Sequence, residues 1–147
     1  MFNIVPVSAF TDNYIWVIHD QYYAVVVDPG EAKPVLDFLE QKKLKIIAIL
    51  NTHHHVDHVG GNLKLLQQFQ VPVYGPGSEL ISTVTHCLKE GDSVHLPELS
   101  PRLSILDIPG HTAGHIAYYG ANLLFCGDTL FSCGCGRLFE GTAQQMY

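Results

Sequence analysis

At 147 residues, 47% of them hydrophobic, the chain is long enough for one domain with an ordinary core. Eight Lys and Arg against 14 Asp and Glu give a formal net charge of −6, which argues against nucleic acid as a partner. No apolar run approaches the roughly 20 residues of a membrane-spanning helix, and residues 1–7 lack a charged region followed by a long apolar one, so the expectation is a cytoplasmic protein with no membrane partner.

The pattern predicts a strand over residues 2–7, a turn at Phe10-Thr11-Asp12-Asn13 and a second strand over 14–19, the two forming a hairpin. Residues 23–27 (YAVVV) are apolar on both faces and read as a strand buried on both sides, ended by Asp28-Pro29-Gly30. Pro34 suits the first turn of a helix running to Lys42, with Val35, Leu36 and Leu39 as its apolar stripe. A buried strand follows over 45–51. After it a helix is expected over 62–69, with Leu63, Leu65, Leu66 and Phe69 as apolar candidates, then a strand over 71–74 and a break at Gly75-Pro76-Gly77-Ser78. Residues 79–95 show no clear period apart from a turn at Lys89-Glu90-Gly91-Asp92. A strand over 103–108 leads to His111-Thr112-Ala113-Gly114-His115, and strands 116–119 and 123–126 pair around Gly120-Ala121-Asn122 before Gly127-Asp128-Thr129. Thr142-Ala143-Gln144-Gln145 has the spacing of a capping box, which announces a helix. One turn of helix cannot stand alone, so Tyr147 reads as a truncation point in a longer chain.

The densest chemistry lies behind the strand 45–51, in Thr52-His53-His54-His55-Val56-Asp57-His58-Val59-Gly60-Gly61. If the chain stays extended, His53 and His55 point to one side and can grip one metal. Asp57 and His58 then offer an oxygen and a nitrogen to a second position as the chain turns. Gly60-Gly61 is expected to supply backbone angles that other residues resist. Imidazole and carboxylate suit zinc, iron or manganese rather than calcium. His19, His86 and His95 are isolated and expected to be solvated or packed, and the four cysteines, two of them in Cys133-Gly134-Cys135, are expected to be free structural thiols.

Asp28 in V-D-P-G, the H-x-H-x-D-H cluster, His111 in P-G-H-T and Asp128 in G-D-T resemble, in order, four signature motifs of the metallo-β-lactamase superfamily. Within it, D-N-Y-I-W at 12–16, T-H-H-H-V-D-H-V-G-G, P-G-H-T-A-G-H and F-C-G-D-T-L-F-S-C-G-C-G-R-L-F-E-G-T are similar to the glyoxalase II (hydroxyacylglutathione hydrolase) family. The resemblance implies an α/β fold, the αββα sandwich, with residues 1–147 as its N-terminal part: a mixed sheet with flanking helices. It implies two divalent metal ions, zinc foremost with iron or manganese as options. His53, His55 and His111 would hold one, Asp57 and His58 the other, and Asp128 would bridge both. Asp28 would orient the ligand loop, and His54 and His115 would be supporting or packing residues. The implied reaction is hydrolysis of S-(2-hydroxyacyl)glutathione thioesters, S-D-lactoylglutathione giving D-lactate and glutathione in methylglyoxal detoxification. A metal-bridging water would attack, with Asp57 as the candidate proton acceptor. Arg137 would contact the glutathione part; Phe139 stands where many members have Tyr, which weakens one substrate contact.

By the same resemblance the family's last metal-binding histidine and its C-terminal substrate-binding region lie beyond Tyr147. The second metal should then be weakly held, and an apolar sheet face exposed. The isolated chain is expected to self-associate, and the full-length protein to be a monomer. The alternatives are a single-iron glutathione persulfide dioxygenase, or an inactive metal-binding fragment.

Overall fold

The computed structural model describes residues 2–99 and 102–147. Strands β1 (Asn3–Ala9), β2 (Asn13–His19) and β3 (Tyr23–Val27) run antiparallel in sequence. Helix α1 (Ala32–Lys42) then crosses over to β4 (Lys45–Leu50), parallel to β3. The short helices α2 (Val56–Val59) and α3 (Asn62–Leu66) lead to β5 (Val73–Pro76), and a loop leads to β6 (His86–Leu88), both again parallel. These six strands form one mixed sheet in the order β1-β2-β3-β4-β5-β6. The second sheet, ordered β10-β9-β8-β7, is antiparallel and comprises β7 (Ser93–His95), β8 (Arg102–Asp107), β9 (Ile116–Gly120) and β10 (Leu123–Phe125). Helix α4 (Ala143–Met146) closes the chain with the expected capping box: the Gln145 amide donates to Thr142 Oγ1, and the Thr142 amide to Gln145 Oε1.

Alternation along β3 explains why YAVVV is apolar throughout. Ala24 and Val26 pack under α1 with Val35 and Leu39, while Val25 and Val27 face the second sheet with Leu103, Ile105, Ile116 and Tyr118. Each such fully buried Val or Ile stabilises the fold by about 1.5–3 kcal/mol. The result is helices on sheet on sheet. Tyr118 ties the two sheets through a polar contact, its hydroxyl lying 2.8 Å from the Asn51 carbonyl.

Ala121 and Asn122 both have positive φ (52° and 61°), so β9 and β10 are joined by the two-residue turn whose twist suits a hairpin.

Some expectations change. The strand expected at 71–74 is shifted to Val73–Pro76, because Gly75 and Pro76, read as breakers, pair with Cys87 and Leu88. Pro76 lies past the last β4 pair, Leu50 with Tyr74, so its missing N–H costs nothing on that side. The helix expected over 62–69 ends at Leu66 and continues only as turns. So short a helix lays one side on the core: Leu65 is buried and Leu63 is 63% exposed. β6 and β7 occupy the stretch that showed no period. The thiols are free, as expected, but Cys87, Cys133 and Cys135 are exposed rather than packed.

Candidate metal centre

Four strands end beside one another and deliver the candidate ligands. β3 leads to Asp28, β4 to residues 52–58, β8 to His111 and β10 to Asp128. Asp28 sits in the left-handed region at φ 51° and spends its carboxylate on the ligand loop. It accepts from the Thr52 amide (2.8 Å), the Thr52 hydroxyl (2.7 Å) and His58 Nδ1 (3.1 Å). This is the place an orienting residue must occupy. Asn51 and Asn62 hold the same loop from below: Asn51 Nδ2 donates to the His58 carbonyl at 3.2 Å and Asn62 Nδ2 to Asn51 Oδ1 at 2.7 Å.

The glycines serve a purpose other than the one expected of them. Gly60 and Gly61 have ordinary right-handed angles (φ −60° and −81°). Gly61 is needed for proximity, since a Cβ there would stand 2.5 Å from the Pro29 carbonyl oxygen.

β4 stops at Leu50, so His53 and His55 are not strand residues, yet their rings still meet edge-to-face with centroids 4.8 Å apart. His53, His55 and His111 each bring one ligand atom within 4.8 Å of the others. Their free nitrogens can be deduced. The Thr52 hydroxyl donates its hydrogen to Asp28, so at 3.0 Å it must accept from His53 Nδ1, leaving His53 Nε2 with a lone pair. His53 Nε2 is buried and has no hydrogen-bond partner among the described residues. His111 Nδ1 donates to the Arg137 carbonyl at 2.7 Å, which turns its Nε2 toward His55 Nδ1, 2.9 Å away. A buried, unpartnered nitrogen is costly in a native site. Inward lone pairs on His53 and His111, with His55 Nδ1 beside them, fit a cation of the zinc, iron or manganese kind, and outer nitrogens held by protein acceptors, as in His53 and His111, are how metal-binding histidines are usually oriented.

Asp57, His58 and Asp128 form a second such group. Asp128 spans both: Oδ1 is 3.1 Å from His58 Nε2 and Oδ2 is 3.3 Å from His111 Nε2. Asp28, His53 and His58 also lie close enough to be considered, but the Asp28 oxygens already receive three donors.

Burial and the surrounding rings of His58, His115, His55 and His111 hold the His53 imidazole neutral, far below its usual range. Burial, with the rings of His111 and His54 close by, also lowers His55. His58 goes the other way. Burial opposes its charge, but hydrogen bonds to Asp128 and Asp28 and the charges of both outweigh it and raise the pKa to about 10. Burial likewise opposes the Asp128 charge, and the His58 hydrogen bond overcomes it and keeps that carboxyl ionised.

Around these groups, Phe139 is 60% exposed and stands edge-on to His55 and His111, with centroids 5.5 and 5.3 Å away. Arg137 is exposed, and its contribution inside the site is the backbone carbonyl that orients His111. His19, His86 and His95 lie away from the site on other strands. On the His58 side a groove of about 1030 Å³ opens between β2 and β10, lined by Tyr14, Trp16, Leu124, Leu130 and Phe131 among others. It lies between the edge strands β1 and β10 of the two sheets. The outer face of the second sheet is mixed rather than apolar, with Arg102 and Ser104 exposed beside Leu106, Tyr119 and Leu124.

Two contributors were not foreseen. Asn13 Nδ2 donates to Asp57 Oδ2 at 2.9 Å, so the first hairpin steadies a candidate ligand. Glu79, from the loop after β5, has a buried side chain that bonds His54 Nδ1 at 2.9 Å. Nothing in the local pattern marks Glu79, and Asn13 belongs to the D-N-Y-I-W motif without any sign of its partner.

Residues 10–147 match the family model of the Metallo-beta-lactamase superfamily. The chain is 64% identical over 147 residues to a hydroxyacylglutathione hydrolase of Nitrosomonas europaea, covering all of this chain and 56% of that protein. Among solved structures it is similar to the BLEG-1 B3 metallo-beta-lactamase, with a TM-score of 0.84 and 26% identity over 99% of this chain and 81% of that one. It is also similar to ETHE1 from Myxococcus xanthus, with a TM-score of 0.83 and 27% identity over 99% of this chain and 66% of that one. The chain thus spans a little over half the length of the curated relative it matches.

Proposed function

Because this chain belongs to the metallo-beta-lactamase superfamily, we propose that residues 1–147 form a metal-dependent catalytic domain that hydrolyses S-(2-hydroxyacyl)glutathione thioesters, S-D-lactoylglutathione foremost. The observation that carries this reading is the buried, unpartnered Nε2 of His53 facing His55 and His111, with Asp128 reaching from that group to His58. The 64% identity to a relative named hydroxyacylglutathione hydrolase supports the choice of thioester.

In this reading His53, His55 and His111 hold one divalent cation, Asp57 and His58 the other, and Asp128 both, with zinc as the first choice and iron or manganese as alternatives. Bound there, the cations would supply Lewis acidity toward the thioester carbonyl and lower the pKa of water toward neutrality. Asp28 and Thr52 keep the His53 lone pair aimed inward. The Asp57 carboxylate, 43% exposed and steadied by Asn13, is placed to accept a proton from water. Water adds to the acyl carbon, the C–S bond breaks, and glutathione leaves as a thiolate that takes up a proton. Phe139 walls the histidines on one side, and the exposed Arg137 guanidinium is the candidate contact for a glutathione carboxylate. The cytoplasm, where glutathione is plentiful, is the proposed location.

The test is turnover of S-D-lactoylglutathione by the purified chain supplied with zinc, iron or manganese, with His55→Ala as control. Turnover lost in the control supports the reading; none in either argues against a catalytic role for this chain. Oxygen uptake with glutathione persulfide would favour a single-iron dioxygenase instead. We further propose that the groove between β2 and β10 makes the isolated chain self-associate, which sedimentation velocity would register as mass rising with concentration. A monomer at all concentrations would refute it.

A further inference from the structure

The first three-histidine group is assembled across the two sheets: His53 and His55 follow β4 of one, and His111 follows β8 of the other. Hydrophobic packing between sheets is non-directional. It cannot by itself set the spacing of imidazoles on opposite loops.

Glu79 can. Its side chain is 3% exposed, and it reaches both loops. Oε2 lies 2.9 Å from His54 Nδ1, between the two candidate ligands of the first loop. Oε1 accepts from the Thr112 hydroxyl and from the Gly114 amide at 3.1 Å, in the loop of His111. Glu140 repeats the pattern from the far side. Its Oε1 is 3.3 Å from His54 Nε2, and its Oε2 accepts from the Ala113 amide at 2.8 Å. The imidazole of His54 thus donates from Nδ1 to Glu79, with Glu140 flanking its Nε2 at 3.3 Å, and each glutamate also accepts from residues 112–114. Gly114 belongs to the same device, since a Cβ there would stand 2.6 Å from Glu79 Cγ. Burying a carboxylate costs several kcal/mol unless donors satisfy it. Here they do, in a loop junction where apolar side chains could have held the chain together but could not fix its geometry.

We propose that Glu79, with His54 and Glu140, is a positioning clamp that sets the separation between the His53–His55 pair and His111 before a cation binds. This rests on the three histidines being a metal site. In this proposal the clamp residues act through the ligand loops; His54 and Glu140 also lie close enough to His55 to be considered as a cation group, whereas Glu79 does not belong to one. A metal site whose ligands are placed in advance binds more tightly than one that must assemble them.

The experiment is competition titration of the first equivalent of Co²⁺ into the 147-residue chain, read by its visible absorption, with His55→Ala as the blank. Circular dichroism and thermal unfolding of each metal-free variant report the fold. Glu79→Ala is expected to weaken Co²⁺ binding by about 10–100-fold and to alter the absorption band. Glu79→Gln should recover part of the affinity, because its amide oxygen still accepts from Thr112 and Gly114. Thr112→Val, which removes one strut and keeps the carboxylate, should lose less than Glu79→Ala and serves if that variant does not fold. Unchanged affinity and spectrum in the folded variants overturn the clamp while leaving the metal site standing. If the unaltered chain binds no Co²⁺, the metal site falls, and the clamp with it.

Discussion

The rings of His53 and His115 lie one on the other, centroids 4.5 Å apart and planes 15° from parallel, although they come from loops of different sheets. His115 donates from Nδ1 to the Ile116 carbonyl at 3.1 Å and accepts the Asp128 amide on Nε2 at 3.3 Å, so it is a neutral ring at the junction of both ligand groups. Burial lowers its pKa from 6.5 to about 4. In that interval the unfolded chain binds a proton that the folded chain refuses, so this contribution is full above pH 6.5 and is lost as the pH falls toward 4. His53, lowered further, acts in the same sense. Urea unfolding of the metal-free chain should show stability dropping on the acid side. In His115→Phe, which keeps a flat ring but not the titration, the slope should be shallower by up to about 1.4 kcal/mol per pH unit. An unchanged slope would contradict the assignment.

His58 has the opposite linkage. With its pKa raised to about 10, its contribution to the metal-free fold is full below pH 6.5 and fades as the pH rises toward 10. The proton it carries must leave before Nε2 can bind a cation. Loading the group of Asp57, His58 and Asp128 at pH 7–8 should therefore release about one proton, and affinity there should rise with pH. Calorimetric titration of Zn²⁺ in buffers of different ionisation enthalpy measures that proton directly.

Thr52→Val keeps the shape and removes the hydroxyl that links Asp28 to His53. His53 Nδ1 then has no acceptor, and the tautomer that points a lone pair inward is no longer favoured. The expected outcome is a metal affinity at the three-histidine group lower by about 10–100-fold and a fold weaker by about 1–3 kcal/mol. Chelator competition and denaturant midpoints separate the two effects.

Gly30 lies beneath the ligand loop, where a Cβ would fall inside the Asp57 carbonyl and 2.8 Å from Phe10 Cε2. Gly30→Ala should cost at least about 2 kcal/mol through forced backbone displacement. Gly134→Ala, with nothing within 4 Å of the added carbon, is the matched control and should change the thermal midpoint little. Similar midpoints for both would show that the loops yield more easily than their packing implies.

How much of this was legible in the sequence depends on whether the relevant residues are neighbours along the chain. His53, His55, Asp57 and His58 announce themselves because six positions hold five ligand-type side chains. The sandwich was implied by the family resemblance rather than by strand periodicity, which located most of the strands, and α4 was legible from a four-residue cap. Glu79 and Glu140 are single carboxylates in loops, where a solvated charge is the ordinary reading, and only the fold brings both to His54. Asn13 is legible as part of a motif but not as a partner of Asp57, 44 residues away. β6 and β7 have three residues each, too few for a period-two pattern to emerge. Gly60 and Gly61 were misjudged because a glycine in sequence does not say whether torsion or proximity demands it.

The candidate ligands all sit just past the ends of β4, β8 and β10, on segments that contribute no rung to either ladder of strand hydrogen bonds. Exchanging them leaves the register of both sheets and the aliphatic interior intact. Scaffold and reactivity are therefore largely separable in this molecule: a library confined to residues 55, 57, 111 and 128, leaving Gly114, His115 and Gly136 in place, is expected to sample new chemistries on the same sandwich, and hydrogen exchange of the β3 and β4 amides would show which variants keep it.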